Sequence, residues 1–106
     1  MLDYKIYYEN ILTAIDRIEN SVKNKKSLDE TNIWDATLMR LQVIGENTRD
    51  IPPEIKKKHK EINWKGILSL RNIISHRYQK VDKELIWKFI RDRLPLLKDC
   101  LKNELI

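Results

Sequence analysis

Arg71-Asn72-Ile73-Ile74-Ser75-His76-Arg77-Tyr78 is the stretch of this 106-residue chain whose residue types and spacing can do chemistry. Arginine supplies a permanent, forked cation suited to phosphate. Histidine is the side chain whose unperturbed pKa lets it take and give protons near neutrality. Together they are the minimal kit for cleaving a phosphodiester without a metal. On an α-helix Asn72 and His76 lie one turn apart on a face, with Arg71, Ser75 and Tyr78 on an adjoining stripe. Arg71 and His76 stand about 140° apart on that geometry, so their long side chains can flank one cleft. Plainer readings compete at each position. The pair alone is also a common pattern of a solvated helix face. His76 also suits a helix C-terminus, where its positive form meets exposed carbonyls. Tyr78 also suits a half-buried aromatic with its hydroxyl hydrogen-bonded.

Charge gathers around this stretch. The chain carries a net +5, yet residues 54–80 hold eight Lys/Arg against Glu54 and Glu61, a net +6, which leaves −1 for the other 79 residues. A basic segment of this kind attracts polyanions, nucleic acid first among them. Lys56-Lys57-Lys58-His59-Lys60 by itself reads as a solvated loop or short helix, with His59 exposed and incidental. Aromatics are not interleaved with these lysines, so no stacking platform for single strands is evident. Two residues upstream are supporting candidates. Glu46 can pair with Arg49 on its own helix, or reach Arg71 from a neighbouring one and hold the guanidinium in place. Arg40 is a candidate to line the same cleft.

The elements that must position these groups are helical. Tyr4, Tyr8, Ile11, Ile15, Ile18 and Val22 recur every three or four residues, predicting a first helix of about twenty residues. Lys23-Asn24-Lys25-Lys26-Ser27 then forms a polar connection. A second helix starts near Thr31 or Asn32, both competent caps, and turns Trp34, Leu38, Leu41, Ile44 and Gly45 inward. Gly45 weakens a helix, so it marks the close approach of a neighbour. Ile51-Pro52-Pro53 stops that helix, and a short one runs from Glu54 to about Lys60. Asn63 caps the next, with Ile62 and Ile67 as a hydrophobic staple. Asp82 caps the last, stapled by Val81 and Ile86, with Ile86, Phe89, Ile90, Leu94, Leu97, Leu101 and Leu105 on its apolar stripe and a kink at Pro95. No segment alternates with period two. The expectation is all-α: an antiparallel four-helix bundle with one short extra helix.

Composition sets the remaining limits. The length suits one domain spanning residues 1–106, without linker or internal repeat. No apolar run is long enough to span a bilayer and no signal peptide is apparent, so a cytoplasmic protein with no membrane partner is expected. Cys100 is the only cysteine, which excludes an intrachain disulfide and suits a small core filler. One Cys and two separated His give no zinc spacing, and no metal or cofactor is expected. Trp34, Trp64 and Trp87 sit on apolar stripes and read as packing residues.

The run Asn63-Trp64-Lys65-Gly66-Ile67-Leu68-Ser69-Leu70 leads directly into Arg71-Asn72 and His76-Arg77-Tyr78. Arg40 and Ile44-Gly45-Glu46 stand upstream, with Val81-Asp82, Ile86-Trp87 and Leu94-Pro95 downstream. This order resembles the HEPN superfamily, and within it the HepT-like toxin family, whose hallmark is Arg, four residues, His, one residue, Tyr. The resemblance runs over nearly the whole chain. It departs at Arg77, where many relatives have glycine; the change bears on the backbone at the helix end and adds a candidate phosphate contact. The resemblance implies a ribonuclease toxin of the HEPN/MNT toxin–antitoxin type. Arg71 and His76 would be catalytic, with Asn72, Arg77, Glu46 and Arg40 in support. It also implies a homodimer whose two motifs face one cleft. Its antitoxin would be an MNT-type nucleotidyltransferase that adds AMP to Tyr78, in a complex with the toxin. ATP and magnesium would then belong to the antitoxin. The rival readings are a non-catalytic HEPN module that binds a nucleotide or a nucleotidyltransferase, and a purely structural helical dimer.

Overall fold

Local signals along the chain become helices almost wherever the apolar spacing asks for them. A computed structural model describes residues 4–25 and 28–106. Its helices are α1 (Lys5–Val22), α2 (Thr31–Arg49), α3 (Pro53–Lys58), α4 (Trp64–Arg77), α5 (Lys83–Asp92) and α6 (Leu94–Glu104), with a 3-10 turn over Tyr78–Lys80. No strand occurs among the described residues, so the fold is all-α. No helix among them is long and apolar enough to cross a membrane.

α2 is the middle element, packing on α1 and on α4, while α1 also meets α6. The core follows from the periodic apolar positions: Ile11, Ile15 and Ile18 of α1, Leu38, Leu41 and Ile44 of α2, Ile67, Leu70 and Ile74 of α4, and Leu94, Leu97 and Leu101 of α6. Burying each such side chain contributes about 1.5–3 kcal/mol. Tyr4, expected on the inner stripe of α1, is exposed instead, and Trp34, Phe89 and Leu105 are only partly covered. Two polar side chains go inside with α2. Thr37 and Thr48 are wholly buried, and neither hydroxyl has a hydrogen-bond partner.

The caps expected for α4 and α5 form. Asn63 Oδ1 accepts from the Gly66 N–H at 3.0 Å, and Asp82 Oδ1 from the Glu84 N–H at 2.9 Å. Ile62 and Ile67 are both buried across the first of these caps. Two details differ from the expectation. α2 begins at Thr31, so its cap residue is Glu30, and no side chain caps the helix. Thr31 and Asn32 therefore lie inside the first turn. The last helix is divided rather than kinked: α5 ends at Asp92, and Pro95 stands in the first turn of α6. Proline has no N–H to bond the Arg91 carbonyl, so the ladder stops there. Lys26 and Ser27 of the polar connection lie outside the described residues. Asn24 just before them turns the chain with φ 64°, a left-handed conformation that asparagine tolerates.

α3 is fixed at its far end by groups distant in sequence. The Trp64 indole N–H lies within hydrogen-bond reach of the carbonyls of His59 (3.0 Å) and Lys56 (3.2 Å). His59 is not an exposed, incidental residue. Its ring nitrogens lie 3.1 Å from Glu61 Oε1 and 3.3 Å from Glu104 Oε2, and Glu104 also accepts from Lys58 Nζ at 3.0 Å. The lysine-rich segment is thereby clasped to the end of α6.

Candidate functional site

Arg71 is built into the contact between α2 and α4. Gly45 occupies the α2 face at this contact, and a Cβ added there would overlap Arg71 Cβ and stand 2.6 Å from its Cγ. The glycine does mark a close approach. What approaches is the aliphatic stem of Arg71. Beyond the stem, Arg71 Nη2 donates to Glu46 Oε1 at 3.2 Å and Nη1 donates to Asn72 Oδ1 at 3.2 Å. Its Nε is buried without a hydrogen-bond partner. Of the two pairings open to Glu46, the one across the helix contact forms. It orients the guanidinium as a charge-assisted bond does. Both side chains retain solvent access, at 26% and 51% of their surface, so the ion pair itself adds little to stability.

His76 stands in the last turn of α4, where Arg77 closes the helix and Tyr78 begins the 3-10 turn. Arg77 has φ −142° and ψ 39°. Its φ is negative, so the helix ends here without the left-handed backbone that favours glycine. His76 is exposed and makes no hydrogen bond or ion pair among the described residues. Tyr78 is 56% exposed, which removes the half-buried alternative for its ring. Ser75, between the two ends of the motif, accepts a hydrogen bond from Gln42 Nε2 at 2.7 Å and joins α4 to α2 a second time.

Among the described residues, Arg71 and His76 line different concavities. Arg71 lines one with Gly45, Glu46, Arg49, Leu68 and Asn72. His76 lines another with Arg77, Tyr78, Gln79 and Lys80. The cause is the helical offset between them, reinforced by Glu46 and Gly45, which draw the guanidinium toward α2. Arg40 belongs to neither. Its Nη1 donates to the Arg17 carbonyl of α1 at 3.1 Å, because five positions along α2 from Gly45 turn it toward the other neighbour. Arg49 enters the sequence analysis only as one of two possible partners of Glu46, not as part of the site. With Glu46 turned to Arg71, it remains exposed on the rim of the Arg71 concavity. Its place four residues after Gly45, one turn along α2, was the available clue.

Comparison with known proteins points to a family. The family model described as "Ribonuclease HepT-like" matches residues 11–104. The "Probable ribonuclease HepT" of Thermococcus cleftensis is 32% identical over 98 residues, covering 90% of this chain and 89% of its own. The "Putative RNase MJ1380" of Methanocaldococcus jannaschii is 31% identical over 99 residues, covering 91% of each. The "Gamma-glutamylcyclotransferase and putative RNase MJ0434" of the same organism is 34% identical over 100 residues; the match covers 92% of this chain and 45% of that protein. No solved structure matches the chain significantly.

Proposed function

Since the chain belongs to the HepT-like ribonuclease family, we propose that it is an endoribonuclease toxin whose single HEPN domain cleaves RNA without a metal. The observation that carries this reading is the pairing of an oriented guanidinium, Arg71 between Glu46 and Asn72, with an exposed, unengaged imidazole at the end of the same helix. The surrounding +6 segment would draw the RNA backbone in.

In the proposed reaction the 2′-oxygen attacks the adjacent phosphorus and the bond from phosphorus to the 5′-oxygen breaks. His76 takes the proton from the 2′-hydroxyl. Arg71 stabilises the charge that builds on the phosphoryl oxygens, and Asn72 keeps Arg71 oriented. The leaving 5′-oxygen needs a proton as well. A second His76, from the other copy of a homodimer, supplies it. That Arg71 and His76 line different concavities among the described residues supports such a shared site. Products are a 2′,3′-cyclic phosphate and a 5′-hydroxyl, and DNA, lacking the 2′-hydroxyl, survives.

An MNT-type nucleotidyltransferase would be the antitoxin, adding AMP to the accessible Tyr78 and setting an anionic group beside the cations of the site. The toxin would act in the cytoplasm, where its RNA is found. The test is incubation with mixed cellular RNA in EDTA, beside a His76→Ala control, followed by sequencing of the ends. Cleavage that persists unchanged in His76→Ala would refute the proton-transfer role. Absence of cleavage by the native protein, with nucleotide binding by calorimetry, would favour the non-catalytic module.

A further inference from the structure

We propose that Gly45 is a positioning residue for Arg71, holding open the space through which the arginine stem reaches its place between Glu46 and Asn72. This rests on the reading that Arg71 contacts an RNA phosphate. A helical glycine at a helix contact usually admits the backbone of its neighbour. Here Arg71 fills the space: its Cα stands 3.7 Å from an added Cβ, an ordinary contact, whereas Cγ would stand 2.6 Å away and Cβ closer still. Cβ is set by the α4 backbone, so the room at Gly45 fixes both how near α4 comes and where the arginine stem starts.

The direction of the guanidinium follows from that room. With the stem seated on Gly45, Nη2 meets Glu46, the next residue of α2, and Nη1 meets Asn72, the next residue of α4. Nε is enclosed. Because Cβ is fixed to the α4 backbone, a methyl group at position 45 would push α4 away from α2 and turn Cγ aside, and the fork would leave Glu46. Arg71 would keep its charge and lose its aim. Asn72 cannot restore it, because it moves with α4 and holds only one end of the fork.

The experiment uses Gly45→Ala, Arg71→Gly and the double variant. For Gly45→Ala we expect about a hundredfold loss of cleavage at saturating RNA, as misplacement by about an ångström produces, with the helical spectrum retained. The Arg71 Nε–H signal in a ¹⁵N-edited NMR spectrum, assigned by its loss in Arg71→Lys, is expected to move or broaden in Gly45→Ala while other arginine signals stay. Native cleavage together with an unmoved Nε–H signal overturns the proposal. Melting temperature gives an arm independent of activity. Gly45→Ala should lower it when residue 71 is arginine. In the Arg71→Gly background it should raise it, because alanine is then the better helix former without a clash. An equal loss in both backgrounds also overturns the proposal. If the native protein cleaves no RNA, the proposed function falls, and the spectroscopic and melting arms still decide what Gly45 does.

Discussion

Arg71 bonds in two directions at once, and only a planar fork reaches both Glu46 and Asn72. Arg71→Lys should therefore keep the charge, bind RNA nearly as well in a filter-binding assay, and lose most cleavage; wild-type turnover by the lysine variant would show that a point charge suffices. Tyr78 is a different case, since its exposed position makes its hydroxyl a candidate acceptor rather than a support. Tyr78→Phe should retain at least part of its cleavage yet escape neutralisation. Intact mass after co-expression with the nucleotidyltransferase should show added AMP on the native chain and none on the variant. Arg71, His76 and Tyr78 are candidates that a sequence alone can offer, because side-chain chemistry and spacing are both local. Glu46 was half legible: the sequence offered Arg49 or Arg71 as its partner, and only the packing of α2 on α4 selects one. His59 was misjudged because its partner Glu104 lies 45 residues away, joined to it only by the fold.

At the level of the element, helix starts after strong signals were readable and helix interiors at contacts were not. Asn63 and Asp82 cap as their sequence neighbourhoods predict, whereas nothing local marks Thr37 and Thr48 as buried or shows that Pro95 divides a helix rather than bending it. Thr48 closes α2 on its buried side with an unpartnered hydroxyl. Replacing it with valine removes that hydroxyl at similar shape, and Thr48→Val should stabilise the fold by about 1 kcal/mol in urea denaturation. The clasp between α3 and α6 predicts a dependence on acid. Lys58, donating to Glu104, holds that carboxyl below its ordinary value of 4.5, with His59 adding to the effect. A depressed carboxyl contributes stability that is present above the unfolded pKa and is lost as pH falls through the lower, folded value. Thermal melts below pH 4.5 should therefore fall more steeply for the native chain than for Glu104→Gln. Parallel curves would mean that the clasp contributes nothing.

For the whole molecule, the sequence foretold an all-α bundle with its charge gathered on one segment, but said little about which surface is left for a second copy. The motif side of α2 and α4 exposes Met39 and Tyr78 beside the Gln42–Ser75 bond, an apolar border suited to a twofold contact. Light scattering should find a dimer at working concentrations, and a fully active monomer would remove the shared-site argument. Cys100 bears on how that contact can be mapped. It is 3% exposed, and burial pushes its thiol up to about 11, so almost none of it is thiolate at neutral pH. The molecule's only native thiol is thus chemically silent. A cysteine introduced at Met39 becomes the sole reactive handle, ready for a spin label, a fluorophore or an oxidative cross-link to the other copy, with no native residue to be removed first.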